Sequence, residues 1–123
     1  MIVQRLAARL AAAGARLHED PFDILALIDA LGILVEVKTL DGTEADERER
    51  VRDALGQLLY YEPFAAAPLV RRATIHKIAC FESPISQAHR AWLNTSGIGV
   101  IWLVDERFVG DALAVRVLGV YLE

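Results

Sequence analysis

The sequence predicts an α/β fold in which helices flank a mixed β-sheet. Two apolar runs of strand length, residues 21–27 and 33–37, are joined by a short Asp-Ala-Leu-Gly turn, which favours an antiparallel pair. Farther along the chain, a helix-like segment separates two more strand-like runs, residues 72–81 and 98–104. Strands joined through a helix are usually parallel. Both kinds of pairing in one chain indicate a mixed sheet.

The first half of the chain contributes a helix, two strands and a second helix. Residues 2–14 are rich in alanine and leucine and form an amphipathic helix, and their arginines leave no hydrophobic signal-peptide core. The strand before residue 21 is short. A capping-box pattern at residues 43–46 starts the second helix, which runs to about Glu62, where Pro63 is expected to end it.

The second half is expected to continue with a strand, a helix and two strands. Residues 72–81 alternate in polarity as a strand does. Ser83 followed by Pro84 predicts the start of a third helix, because proline is favoured at the first helical position. Residues 98–104 form a buried strand, and residues 114–122 are expected to form a last edge strand.

Composition indicates one small globular domain, residues 1–123. Hydrophobic residues make up 54% of the chain and charged residues 24%, which excludes a disordered protein. No apolar run reaches the roughly 18 residues that a membrane span requires, so we expect a cytoplasmic protein without membrane contact. The single Cys80 is expected to pack in the core.

The formal net charge of −4 argues against a simple basic nucleic-acid binder. Residues 63–104 nevertheless carry four basic and one acidic side chain. This segment forms either a phosphate-contacting face or scattered solubilising charges. Its basic and histidine side chains are Arg71, Arg72, His76, Lys77, His89 and Arg90.

Three charged side chains stand out because they lie on otherwise apolar strands. Glu36 and Lys38 are two positions apart and therefore project from one face, while the valines beside them pack on the other. The turn at residues 29–32 brings Asp23 near both. Two carboxylates beside a lysine can hold a divalent cation and activate a water. The alternative is a solvated face with a cross-strand ion pair.

The helix after these strands carries two further polar side chains. Gln57 and Tyr61 lie one turn apart at the border of its apolar stripe. From that border, polar groups can lean over the face of the sheet that carries Glu36.

Pro21-Phe22-Asp23, then Glu36-Val37-Lys38, then a helix with Gln57 and Tyr61 resembles the PD-(D/E)XK nuclease superfamily, in its exonuclease-like branch with a Gln-x-x-x-Tyr helix motif. The resemblance covers roughly residues 20–104. It implies a restriction-endonuclease-like core of the αβββαβ type.

The resemblance also implies roles for these residues. Asp23 and Glu36 would be ligands of Mg²⁺ or Mn²⁺, joined by the backbone carbonyl of Val37. Lys38 would position or deprotonate the attacking water and stabilise the charge developing on phosphorus. Gln57 and Tyr61 would support the site or the nucleic-acid backbone.

Three classes of function remain open at this point. The first is a metal-dependent nuclease that hydrolyses phosphodiester bonds in nucleic acid, with DNA as the expected substrate. The second is a catalytically degenerate nuclease-fold module that binds nucleic acid or a protein partner, because residues 2–14 lack the acid that many members carry on the first helix. The third is an interaction domain. A homodimer or a partner domain is compatible with all three.

Overall fold

The computed structural model describes residues 1–71 and 73–122. Its six strands are β1 Arg16–His18, β2 Ile24–Ile28, β3 Leu31–Lys38, β4 Thr74–Phe81, β5 Ile98–Val104 and β6 Arg107–Gly110. Its helices are α1 Ile2–Ala12, α2 Glu44–Tyr61, α3 Ala67–Val70, α4 Gln87–Thr95 and α5 Ala112–Leu122, with a π-helical turn at Glu62–Ala66.

The six strands form one sheet in the order in which they occur along the chain. β1, β2 and β3 are an antiparallel meander, β3, β4 and β5 are parallel, and β6 returns antiparallel to β5. The predicted α/β class with a mixed sheet is therefore confirmed, as is the parallel pairing of the strands on either side of α4.

Apolar side chains cover both faces of the sheet. On one face, residues such as Leu34 pack beneath α2, α3 and α4, and on the other, residues such as Val35 pack against α1 and α5. Burial on both faces explains why β3 is almost continuously apolar. Within the described residues, no helix combines the length and the apolar character needed to cross a membrane.

The second helix begins where its sequence predicts. The Thr43 hydroxyl accepts a hydrogen bond from the Asp46 backbone N–H at 3.1 Å, and this satisfies one of the free donors of the first turn. The expectation that Pro63 ends the helix is wrong in part. The α-helical ladder ends at Tyr61, but the backbone continues through the π-helical turn into α3, because proline lies at the first turn of the new segment, where its missing N–H is not needed.

The predicted start of the third helix is also wrong. Ser86, rather than Ser83, caps α4, and its hydroxyl accepts a hydrogen bond from the His89 backbone N–H. Pro84 lies before the helix. The strand predicted from Arg72 begins at Thr74, and Arg72 itself lies outside the described residues.

The C-terminal segment is a helix, so the edge strand predicted for residues 114–122 is wrong. The Asp111 carboxylate accepts the Ala114 N–H at 2.9 Å and so caps α5, whose buried Ala114 and Leu118 are spaced by one helical turn. The helix packs so closely on β5 that a Cβ on Gly99 would lie 2.9 Å from the Ala114 backbone. The edge strand is instead β6, which returns through a two-residue turn at Asp105 and Glu106, both with positive φ.

Candidate functional site

The ends of β2 and β3 are tied together by two carboxylates. The last ladder pair at this end is Ile24 with Val35, so Asp23 and Glu36 follow side by side. The Asp23 carboxylate accepts a hydrogen bond from the Val37 N–H at 2.8 Å, and the Glu36 carboxylate accepts one from the Asp23 N–H at 3.1 Å. Each acid thus holds the backbone of the opposite strand, and the two carboxylates are brought together.

Glu36 is buried, with only 3% of its surface exposed, and among the described residues it is the one buried charged side chain. Burial and the negative charge of Asp23 raise its pKa from 4.5 to about 7, against the opposing effects of the Asp23 N–H and of Lys38. A carboxylate in this position is stabilised in its ionised form by a nearby cation. The electrostatics of the pair therefore favour binding of a positive ion.

Lys38 lies at the carboxyl end of β3, on the border of a cleft of about 440 Å³. Lys38 was predicted to project from the face opposite to that of Val35 and Val37. The packing agrees, since Val35 and Val37 contact the α1 and α5 side of the sheet while Leu34 contacts the α2 side. The cleft is lined by Met1, Ile2, Val3, Asp23, Val37, Lys38, Thr39, Arg50 and Glu82. Asp23 and Lys38 therefore line one cleft, and Glu36 is buried next to Asp23.

Two charged residues of this cleft were not predicted from the sequence. Glu82 directly follows β4, and its carboxylate accepts the Leu40 N–H at 2.6 Å. Its position follows from the fold, because Lys38 and Phe81 are register partners and the carboxyl ends of parallel strands meet at one edge. Arg50 precedes Gln57 by seven residues, which places both on one helical stripe.

The α2 stripe of Arg50, Gln57 and Tyr61 extends along the helix on the same side of the sheet. Tyr61 packs edge-to-face against Phe22, with ring centroids 6.3 Å apart. Its pKa is raised by burial and by the negative charges of Glu36 and Asp23, so its phenol is close enough to experience the carboxylate pair. The helix therefore brings Tyr61 towards the site.

Gln57 is partly buried, and its Oε1 is a buried oxygen without a hydrogen-bond partner among the described residues. Leaving such an acceptor unsatisfied costs about 1–3 kcal/mol. A bound water or ligand at this point would satisfy it. The burial of this oxygen shows that the Gln57 amide does not lie on the solvent side of α2.

The donor set available to a metal is small. Among residues 1–71 and 73–122, no group of three or more His, Cys, Asp or Glu side chains is arranged to hold a metal ion. The two carboxylates of Asp23 and Glu36 would therefore need backbone oxygens or solvent to complete the coordination of Mg²⁺. The first helix lines the cleft with Ile2 and Val3 and contributes no acid.

The basic segment was considered either as a phosphate-contacting face or as scattered solubilising charges, and three of its side chains make contacts within the protein. Lys77 binds Glu62 at 2.6 Å, and His89 binds Glu47. Arg90 donates to the Ile85 carbonyl and lies 5.2 Å from the centre of the Trp102 ring. These side chains therefore stabilise contacts between elements and are less available to phosphate than their charge suggests.

No protein-family model matches the sequence, and no curated protein matches it. Among solved structures, the chain is similar to the crystal structure of an XisH family protein from Nostoc punctiforme. The two chains are 16% identical, and the match covers 81% of this chain and 88% of that chain, with a TM-score of 0.55. The similarity shows a shared fold.

Proposed function

We propose that this protein is a metal-dependent nuclease of the PD-(D/E)XK type, with DNA as its substrate and Mg²⁺ or Mn²⁺ as its cofactor. The observation that carries the proposal is the pair formed by buried Glu36 and partly buried Asp23, whose mutual repulsion a divalent cation would relieve. The order of elements from α1 to β4 is αβββαβ when the short α3, which continues α2 through the π-helical turn, is counted with α2, and it agrees with the core that the sequence motifs imply.

The residues present fit such a cation. Carboxylate oxygens are the ligands that Mg²⁺ prefers, and the two acids are already held together by hydrogen bonds to the backbone. The Gln57 Oε1, which has no hydrogen-bond partner in the part of the chain that the structure describes, is a further acceptor on the helix that covers the same side of the sheet. Asp23 and Glu36 would hold the ion, with the Val37 carbonyl as an additional ligand.

A bound divalent ion neutralises charge on a phosphate and makes a water more acidic. The protein's own groups supply the remaining requirements of the reaction. Lys38, on the border of the cleft, orients the attacking water and stabilises the negative charge that develops on phosphorus. Gln57 accepts a hydrogen bond from a water in the site, and Tyr61 limits access of bulk solvent to the carboxylates.

The direct test is a cleavage assay on single-stranded, double-stranded and branched DNA with Mg²⁺, with Mn²⁺ and with EDTA, combined with calorimetric titration of each ion. We expect cleavage only with a divalent ion. Lys38→Met should lose most of the cleavage but bind the ion with unchanged affinity, because Lys38 is not a ligand. Glu49→Gln, an exposed acid on α2, is the control and should behave as wild type.

A second candidate function is a degenerate module of the same fold that binds nucleic acid or a protein without cleaving it. The observation that favours it is the small donor set, with no third metal-binding side chain among the described residues. Calorimetry separates the two candidates. If wild-type protein binds neither ion and cleaves no DNA or RNA, the nuclease function is wrong and the binding module is the remaining candidate.

A further inference from the structure

Four aromatic rings form a row that begins on the surface and ends beside the carboxylate pair. In this aromatic row, Phe64 is 4.8 Å from Tyr60, Tyr60 is 6.0 Å from Tyr61, and Tyr61 is 6.3 Å from Phe22, measured between ring centroids. Phe22 directly precedes Asp23. The row therefore connects exposed protein surface with the candidate metal ligands.

The outer half of the aromatic row is unusually exposed. Phe64 has 69% of its surface exposed and Tyr60 59%, whereas Phe22 at the inner end is 2% exposed. The two outer rings are inclined by 31°, which is close to a stacked arrangement, and the two inner contacts are edge-to-face. Core packing accounts for Phe22 but not for the outer rings.

The outer rings are held at the junction between α2 and the π-helical turn. Tyr60 is in the last turn of α2, and Phe64 follows four residues later within Glu62–Ala66. Single π-helical turns are rare and occur frequently at functional sites. The acid between the two rings, Glu62, is bound by Lys77 at 2.6 Å, so its negative charge is compensated beside the exposed rings.

We propose that the exposed outer rings of the aromatic row, Phe64 and Tyr60, are a stacking platform for unpaired bases, so that single-stranded nucleic acid binds on them and delivers a phosphodiester to Asp23 and Glu36. Every base has a planar face, and stacking on exposed aromatic side chains is a common way to bind single strands without sequence preference. In a duplex, these faces are already stacked on one another. The proposal rests on the proposed function, to which it adds the substrate class.

The test is binding measured without cleavage. Fluorescence anisotropy of a labelled oligothymidylate, and of a duplex of the same length, is recorded in EDTA for wild type, Phe64→Ala and Tyr60→Ala. We expect each alanine variant to raise the Kd for the single strand about tenfold. The Kd for the duplex should change by less than about twofold. Phe64→Trp, which keeps a ring, should restore single-strand binding.

Leu69→Ala is the matched control, because Leu69 is a 43% exposed apolar residue of the adjoining α3 and is not aromatic. It should leave both Kd values unchanged. Melting temperatures of all variants should match wild type, since the outer rings are exposed. Because binding is measured without metal, a protein that binds through the row but does not cleave would overturn the proposed nuclease and keep the platform.

Three results would overturn the proposal. The first is a loss in Phe64→Ala no larger than in Leu69→Ala. The second is an equal loss for single strand and duplex, or no single-strand binding by wild type. The third is a wild-type dimer in light scattering that dissociates in Phe64→Ala while oligonucleotide binding is unchanged, which would make the outer rings an interface between two copies of the chain.

Discussion

Two glutamates on the α2 side of the sheet have opposite electrostatic environments. Glu47, on α2, contacts His89 of α4 at 2.5 Å and accepts the Ser86 N–H at 3.2 Å. Burial opposes ionisation there, but the hydrogen bonds from His89 and Ser86 outweigh it and lower the pKa of Glu47. At Glu36, burial and Asp23 act together and raise the pKa to about 7.

The difference distinguishes a structural contact from an incomplete site. The Glu47 and His89 pair joins two helices and has complementary groups, so it needs nothing further. The Glu36 and Asp23 pair combines two acids at the end of a ladder, and it is destabilised when both are ionised. The proposed cation binding would account for a pair of this kind beside Lys38 and a cleft.

The largest expected effect distinguishes the two glutamates by activity. Glu36→Gln should lower divalent-ion-dependent DNA cleavage by at least about a hundredfold, because a charged ligand is lost while the amide oxygen still accepts the Asp23 N–H. Glu47→Gln should leave the rate within about twofold of wild type. Initial rates at saturating Mg²⁺ or Mn²⁺ measure both. Equal losses of cleavage in Glu36→Gln and Glu47→Gln would show that the two carboxylates do not differ in their role in activity.

The next effect is on stability and has opposite signs at the two glutamates. Above pH 4.5, unfolded protein has lost the Glu36 proton that folded protein retains up to about pH 7, so the free energy of unfolding falls as pH rises through this window, by about 3 kcal/mol in total. The pKa of Glu47 is lowered, so its contribution is present above pH 4.5 and is lost as pH falls below it.

Urea denaturation in EDTA between about pH 5 and pH 8 measures the Glu36 effect. Glu36→Gln should flatten the profile in this range. In wild type at neutral pH without EDTA, free Mg²⁺ at a hundred times its Kd should add about 2.7 kcal/mol to the free energy of unfolding. Parallel profiles for wild type and Glu36→Gln would contradict the environment assigned to Glu36.

The carboxylate pair could be predicted from sequence because it depends on local geometry. The period of two along β3 and the short turn before it are sufficient to place Asp23, Glu36 and Lys38 together. The placement of Glu82 depends on the long-range register of β3 with β4, which no local pattern encodes. The sequence therefore predicted the grouping of Asp23, Glu36 and Lys38 but not the addition of Glu82.

The C-terminal error has a different cause. Residues 112–122 are apolar at most positions, and a short apolar run is compatible with either a buried strand or a helix. Asp111 stabilises the helix, because its carboxylate accepts hydrogen bonds from the Val100 and Ala114 N–H groups and from the side-chain amide of Asn94. Two of these three partners are distant in sequence, so the full role of Asp111 appears only in the fold.

A smaller effect tests whether the Gln57 amide belongs to the site or to the core. Gln57→Leu removes the unsatisfied Oε1, so stability should be unchanged or increased by about 1 kcal/mol. Cleavage should fall about tenfold if the amide orients a water, because the loss of one hydrogen bond in the transition state costs about 1.4 kcal/mol. Gln87→Leu, at an exposed position of α4, is the control. Unchanged cleavage in Gln57→Leu would assign the glutamine to packing alone.

The smallest expected effect concerns the contact between Glu47 and His89. Both side chains are partly exposed, at 21% and 28%, so a double-mutant cycle with Glu47→Gln and His89→Gln should give a coupling free energy of about 1 kcal/mol or less at pH 7. Because the pKa of Glu47 is lowered, the coupling should persist at pH 5 and be lost only as pH falls below 4.5 and the carboxyl becomes protonated. Urea midpoints of the four proteins measure it. A coupling that grows as pH falls below 4.5 would show that His89 and Glu47 do not stabilise the helix pair through the ionised carboxylate.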